Sequence, residues 1–270
     1  MNEPSRKRLE WAKSLATVYA SLPDVSAIIL GGSTARNSAH EHSDIDLGLF
    51  WTKVASQDER RDLVRRLGGR LERCVDNHHR YSIDNPRRQG CVEIIDLTLT
   101  PDIPHLKLDI EHETVAGTEA VLFDVIDQHD PSLEKQELLS VLQTGIALYG
   151  IEMIGQWQEK AKEYPVEVAH KMIGSNFSRI SDRVAAQLDW LKHEEWFCLY
   201  EGFLDIGRRL ILTLFGLNKT WAFTDNPNFK GLRPFVGTLE FKPPDFFSRL
   251  GAVLQSEPLS GIQRSVELCE

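Results

Sequence analysis

Hydrophobic residues in the first half of the chain follow two different spacings. Residues 4–21 place apolar side chains three and four positions apart, which predicts an amphipathic helix. Residues 25–30 form a nearly continuous apolar run, typical of a strand buried on both faces. Residues 44–51 and 91–99 are rich in apolar or β-branched side chains, and each predicts another strand. These elements predict a domain that mixes strands and helices.

Shorter patterns fill the rest of this region. Alternation of leucine and isoleucine with charged residues at 106–110 predicts a half-exposed edge strand. A capping box at Ser56 starts a helix that the leucine spacing extends to about residue 75. Further elements are predicted at about 115–128 (helix), 132–144 (helix) and 146–150 (a short strand or a helix end).

After residue 150 the strand-like alternation disappears and long helical patterns replace it. The predicted helices cover about 151–163, 166–192, 195–215 and 244–255. The third of them places a broad apolar side on Trp196, Leu199, Phe203, Ile206, Leu210 and Leu214. We therefore predict an α/β (α+β) domain over residues 1–150 and an all-helical domain over residues 151–270.

Composition narrows the class of protein. The chain has 270 residues, of which 41% are hydrophobic and 26% charged, as in soluble globular proteins. We expect a cytoplasmic protein without a membrane partner, because neither an apolar signal core nor a membrane-spanning run is found. Four scattered cysteines form no CxxC pair, so neither a disulfide framework nor a zinc knuckle is indicated. The net charge of −9 argues against a nucleic-acid partner and leaves room for a small cationic substrate.

Two short motifs carry the candidate chemistry. The first apolar run ends on Gly31, Gly32 and Ser33, a turn whose unhindered backbone N–H groups suit an anion. Ten residues later, Asp44 and Asp46 project from one face of the next predicted strand. Two carboxylates about 6–7 Å apart on a strand suit a cation. The two motifs together suggest a site for a metal-chelated polyphosphate.

Nucleotidyl transfer needs these parts. Divalent ions stabilise the attacking and leaving oxygens, which requires clustered carboxylates. A nearby turn must hold the phosphates. A third carboxylate from a neighbouring strand would complete the site, and the strand at 91–99 offers Asp96 or Glu93 on opposite faces. We prefer Asp96, because Ile95-Asp96-Leu97 repeats the apolar–acid–apolar pattern in the middle of that strand.

The Gly31-Gly32-Ser33 run, its ten-residue spacer and Asp44-Ile45-Asp46 resemble the signature of the DNA polymerase beta-type nucleotidyltransferase superfamily. Within it, the small size and the helical second half resemble the bacterial aminoglycoside-type (antibiotic) nucleotidyltransferases and their uncharacterised relatives. The resemblance implies a small mixed sheet flanked by helices, followed by the helical domain.

The resemblance also implies an activity: an enzyme that moves a nucleoside monophosphate from a triphosphate, with ATP as the expected donor, to a hydroxyl of a small acceptor. An aminoglycoside-like antibiotic is one such acceptor, and pyrophosphate leaves. Mg²⁺, with two ions expected, would be held by Asp44, Asp46 and Asp96, the last as third ligand or general base. The nucleotide would contact Gly31, Gly32, Ser33, Arg36 and Lys230.

Two alternatives from other classes stay open. The chain could be a nucleotide-binding, non-catalytic or antitoxin-like member that acts on a protein partner. His40, His42 and Asp44 also resemble the HxHxD core of metallo-β-lactamase-type zinc hydrolases. In that family a histidine follows the aspartate, whereas Ile45 stands here. The acceptor, the base preference and the oligomeric state do not follow from the sequence.

Overall fold

The computed structural model describes residues 1–76, 91–97, 106–223 and 231–269. The chain divides into two compact units, Met1–Gln128 with Glu134–Glu163, and His129–Leu133 with Tyr164–Glu270. Strands and helices mix in the first unit, and the described part of the second unit is helical, so the predicted fold class is confirmed. The domain boundary after residue 150 stays a prediction.

The first unit contains all the strands in the described residues. Its strands are β1 (Val25–Leu30), β2 (Ile45–Trp51), β3 (Arg70–Asp76), β4 (Cys91–Leu97), β5 (Leu106–Thr114) and β6 (Ile146–Tyr149). Its helices are α1 (Glu3–Tyr19), α2 (Gly32–Ala35), α3 (Gln57–Arg66), α4 (Val115–Leu122), α5 (Leu133–Thr144) and α6 (Ile151–Ala161), and a π-helical turn at Phe123–Asp127 follows α4.

Within the described residues, six strands form one sheet in the order β3-β4-β5-β2-β1-β6. The β2–β5 pair is parallel and the other four pairs are antiparallel. The glycine motif, which follows β1, and the aspartate motif at the start of β2 therefore lie on neighbouring strands. The short segment at 146–150 is a strand, which settles the alternative that the sequence left open.

Different helices pack on the two faces of the sheet. The face that carries Ile45, Leu47 and Leu49 of β2 packs on α1 and α3 in one buried core. On the other face, Phe50 at the end of β2 packs on Trp157 of α6, with ring centroids 4.9 Å apart. The alternation of side chains along a strand places Asp44 and Asp46 on this second face.

The helix that begins at the Ser56 capping box is shorter than predicted. It ends at Arg66, and β3 occupies residues that the leucine spacing assigns to the helix. The reason is Gly68, which follows the C-cap Leu67 with φ of +69°. A glycine in the left-handed region commonly ends a helix, and here its N–H and that of Gly69 bond back to Arg65 and Val64.

The prediction that residues 106–110 form an edge strand is wrong. β5 lies between β4 and β2, inside the sheet. Leu106, Leu108 and Ile110 face the buried core, as their spacing indicates. The charged residues between them are on the face that carries Asp46, so their polarity marks this face of the sheet rather than its edge.

The second unit is built from helices α7 (Val166–Phe177), α8 (Ile180–Lys192), α9 (Trp196–Leu217), α10 (Leu232–Thr238), α11 (Phe246–Gln255) and α12 (Pro258–Cys269). The sequence predicts one helix over 166–192, whereas the structure has two. Near the break, side chains of Ser175, Asn176 and Ser178 bond back to carbonyls four residues earlier, a competition that weakens helices. In the part of the chain that the structure describes, each helix is too short or too polar to cross a lipid bilayer.

Candidate active site

The turn after β1 is the first component of the site. The Gly31 N–H donates to the Asp46 carbonyl over 2.9 Å, which fixes the turn to β2. Gly32 has φ of +62°, and a Cβ placed on it would lie 1.7 Å from Asp46 Oδ2. Only glycine meets both conditions, because it has no side chain and tolerates positive φ. The carboxylate of Asp46 therefore lies directly against the turn.

The short helix α2 continues from this turn. Gly31 is its N-cap and offers no side chain to cap it. The first N–H groups of a helix have no partner inside the helix, so this end suits an anion. Ser33 lies in this first turn and Arg36 is the C-cap residue. The structure thus places Gly31, Gly32, Ser33 and Arg36 on one continuous segment.

The second component is a pair of aspartates on neighbouring strands. In the parallel β2–β5 pair, Asp46 stands directly opposite Asp109. Paired strands lie about 4.8 Å apart, and residues in register share a face of the sheet. Asp44 immediately precedes β2 and belongs to the same face. Three carboxylates therefore lie on one face of the sheet, at the start of β2 and on β5.

These carboxylates have perturbed electrostatics. Burial and the charge of Asp44 raise the pKa of Asp46 to about 6, although the charge of Arg36 opposes this shift. Burial and the charges of Asp46 and Asp44 raise the pKa of Asp109 to about 6. The Oδ1 atom of Asp109 is buried without a hydrogen bond. A bound cation would reduce the repulsion between the carboxylates and would give Asp109 Oδ1 the polar partner that it lacks.

The loop before Asp44 is held by the start of α1. Arg8 is 2% exposed, and its guanidinium donates to the carbonyls of Ser43 and Glu41, each over 2.7 Å. Ser5 accepts the Ala39 N–H over 3.2 Å on the same side of the loop. The first turns of α1 therefore set the path of the chain that leads into β2.

The structure does not bring Asp96 beside the Asp44–Asp46 strand. β5 lies between β4 and β2, and Asp96 stands opposite Lys107, with its carboxylate 3.5 Å from Arg70 Nη2. Asp109, on the intervening strand, is opposite Asp46. We therefore replace Asp96 by Asp109 as the candidate third carboxylate.

Glu93, the other residue considered for that role, lies on the buried core face. It is 1% exposed and is bonded to Arg60 Nε over 2.7 Å and to His112 Nε2 over 3.2 Å. Trp51 Nε1 donates to His112 Nδ1 over 3.1 Å, so the ring proton of His112 is on Nε2. Burial would raise the pKa of Glu93, but His112 and Arg60 together lower it. Glu93 thus belongs to a buried structural network.

The glycine turn and the Asp44–Asp46 pair both fall within residues 13–90, which match the family model of polymerase beta nucleotidyltransferases. The chain carries a polymerase beta-type nucleotidyltransferase domain. The predicted superfamily is thereby confirmed, and the match supports a general nucleotidyl-transfer function.

The chain also resembles solved structures. The crystal structure of a nucleotidyltransferase-like protein from Exiguobacterium sibiricum 255-15 is similar with a TM-score of 0.44 at 11% sequence identity. The similarity covers 97% of this chain and 73% of that chain. No curated protein matches the chain significantly. The family assignment rests on the sequence match over residues 13–90.

The donor set of the nucleotidyltransferase domain suits magnesium better than zinc. Mg²⁺ takes one or two protein carboxylates and completes its shell with phosphate oxygens and water. Among the residues that the structure describes, no group of three His, Cys, Asp or Glu side chains is placed to hold a metal ion by itself. His40 and His42 are exposed, and His40 Nδ1 accepts the backbone N–H of His42 over 3.2 Å.

Sequence reasoning missed two residues at or beside the candidate site. Asp109 carries the same apolar–acid–apolar signal as Asp96, in Leu108-Asp109-Ile110, but the strand order that selects it is not visible in the sequence. Arg8 occupies an apolar-stripe position of α1, four residues before Ala12, and this spacing could have indicated its burial. The predicted nucleotide contact Lys230 lies outside the described residues.

Proposed function

We propose that this chain is a Mg²⁺-dependent nucleotidyltransferase that moves a nucleoside monophosphate from a triphosphate to a hydroxyl of a small molecule and releases pyrophosphate. The observation that carries the proposal is the pairing of Asp46 with Asp109 in register, directly beside the Gly31–Gly32 turn. We take ATP as the donor.

In this proposal, one set of residues binds the phosphates of the nucleotide and another set binds the metal ion. Backbone N–H groups at Gly32 and Ser33 hold phosphate oxygens, and the guanidinium of Arg36 adds a positive charge on the same segment. Asp44, Asp46 and Asp109 would hold Mg²⁺. When bound, Mg²⁺ neutralises charge on the phosphates and on the leaving oxygen.

Asp109 is our candidate for the general base. The oxygen of the acceptor hydroxyl attacks the α-phosphorus, the bond from phosphorus to the pyrophosphate oxygen breaks, and the hydroxyl proton passes to Asp109. Without a bound cation, burial and the charges of Asp46 and Asp44 raise the pKa of Asp109 to about 6. Mg²⁺ beside Asp109 would lower this pKa, so the carboxylate would be ionised and able to accept the proton at neutral pH.

We propose a cationic acceptor, of which an aminoglycoside-like antibiotic is the example. The net charge of −9 supports this choice, because a negative protein attracts a polycationic molecule at low ionic strength. An antibiotic-modifying role would follow from such an acceptor.

The test is a transfer assay on the full chain. The protein is incubated with each α-labelled nucleoside triphosphate, with MgCl₂ or EDTA, and with a panel of aminoglycosides, other hydroxyl compounds and proteins. We expect a labelled small-molecule product that requires Mg²⁺. Labelled protein would favour the antitoxin-like alternative, and triphosphate binding without any product would overturn the proposed transfer.

Matched variants test the assignment of the carboxylates. We expect Asp109→Asn to lower kcat by about 100-fold or more, the usual effect of losing a general base. Asp96→Asn, a change of the same kind on the next strand, should keep most of the activity. The opposite pattern would return Asp96 to the site and remove Asp109 from it.

A further inference from the structure

Helix α9 leaves a group of large apolar side chains uncovered. Trp196 is 48% exposed, Phe197 80%, Tyr200 45% and Leu204 57%. The apolar spacing of the sequence assigns Trp196 to the buried side with Leu199 and Phe203, and the structure corrects this assignment. We call these four exposed residues, Trp196, Phe197, Tyr200 and Leu204, the α9 stripe.

The α9 stripe is continuous on the helix surface. Successive residues of an α-helix are rotated by about 100°, so the four positions fall within an arc of about 100° over three turns. Glu201 and Arg208 are also exposed, and both lie along one edge of this arc. Glu201 precedes Leu204 by three residues and Arg208 follows it by four. The two opposite charges therefore border the same long edge of the stripe. Glu201 lies about one turn before Leu204 along the helix, and Arg208 lies about one turn after it.

The α9 stripe is as large as the apolar patches that often mark functional surfaces. A large aromatic side chain has about 150–250 Å² of surface. The exposed fractions then leave roughly 400–500 Å² of apolar area on each copy, in one patch. The largest apolar patch on a typical monomer covers about 300–600 Å² and is often functional. Two such patches facing each other, with their polar border, reach about 1,000 Å², the least that a specific interface buries.

We propose that the α9 stripe is the contact between two copies of this chain, related by a twofold axis near Leu204. An antiparallel pair of α9 helices packs one stripe on the other. The twofold axis brings Glu201 of one copy beside the partner's Arg208, and the same pair recurs on the other side of the axis. The surface is therefore complementary to itself in both shape and charge, as a closed dimer requires.

Sedimentation of the full chain tests the proposal without any assay of transfer. We expect the weight-average mass to rise from that of one chain towards that of two as the concentration increases from about 1 to 100 μM, the range for an interface of modest size. A mass that stays at one chain throughout this range would overturn the proposal.

Charge reversal identifies the surface. Either Glu201→Arg or Arg208→Glu alone places like charges together at the twofold and should weaken dimerisation by at least about tenfold. The double variant restores opposite charges and should recover the dimer. Leu204→Glu should abolish it, and circular dichroism shows whether each variant is folded. A dimer that persists in both single reversals and in Leu204→Glu would place the interface elsewhere.

Discussion

Replacing Asp46 with asparagine should stabilise the protein at alkaline pH while removing its proposed function. Burial and neighbouring charge raise the pKa of Asp46 from 3.8 to about 6. Each pKa unit corresponds to about 1.4 kcal/mol, so holding Asp46 ionised costs the folded state about 3 kcal/mol at pH 8. Asparagine has the same shape without the charge. We therefore expect Asp46→Asn to raise the free energy of unfolding by about 2–3 kcal/mol at pH 8.

The sign of the pH dependence follows from the raised pKa. The folded protein binds the proton of Asp46 more tightly than the unfolded chain does. The stability that this proton provides is complete below about pH 4 and is lost as the pH rises through about 6. Wild type and Asp46→Asn should therefore differ little at pH 4 and most at pH 8.

Hydrogen exchange in urea is the suitable assay, because it resolves the first unit from the helical one. Peptides that span β2 and β5 report the free energy of opening of the sheet. The exchange times at pH 4 and pH 8 are adjusted for the change in the intrinsic exchange rate with pH. Asp182→Asn, an exposed change on α8, is the matched control and should alter little at either pH. An Asp46→Asn protein that is no more stable than wild type at pH 8 would refute the electrostatic reasoning.

Three further substitutions test the surrounding structure. Gly32→Ala should lower the affinity for Mg·ATP, measured by calorimetry, at least about tenfold, because the added Cβ would collide with the Asp46 carboxylate. The control Gly237→Ala should leave this affinity unchanged, because the space around Gly237 is open. Arg8→Met should cost about 3 kcal/mol in urea unfolding, because two loop carbonyls lose a buried charged donor, and the exposed Arg6→Met should change stability little. Glu93→Gln should cost about 3–5 kcal/mol, since it breaks a buried ion pair; a stable Glu93→Gln protein would contradict the assigned role of that network.

The elements nearest the glycine turn were predictable because local signals agree there. The apolar run of β1 has the bounds that its composition indicates, Val25–Leu30. The Ser56 capping box starts α3 as expected, with both of its reciprocal hydrogen bonds present. Gly31, Gly32 and Asp46 lie together because at most fifteen positions separate them along the chain, and because β1 and β2 are antiparallel neighbours.

The candidate third carboxylate, Asp109, was not predictable, because its place beside Asp46 depends on a contact between distant parts of the chain. Ile95-Asp96-Leu97 and Leu108-Asp109-Ile110 have the same pattern, and only the order of strands distinguishes them. From the sequence alone, the alternation in β5 predicts a half-exposed edge strand. The same alternation arises when one face of an internal strand lines a polar site.

The parallel pairing of β2 and β5 also determines how the chain tolerates insertions. Side chains alternate along a strand, so a slip of one residue would turn Asp109 into the apolar core and Ile110 out of it. The hydrophobic contacts that hold β5 in place therefore also exclude every odd-numbered shift of its register. A single inserted residue within β5 should therefore be more harmful than most substitutions there, and insertions should be tolerated better in the connections between strands.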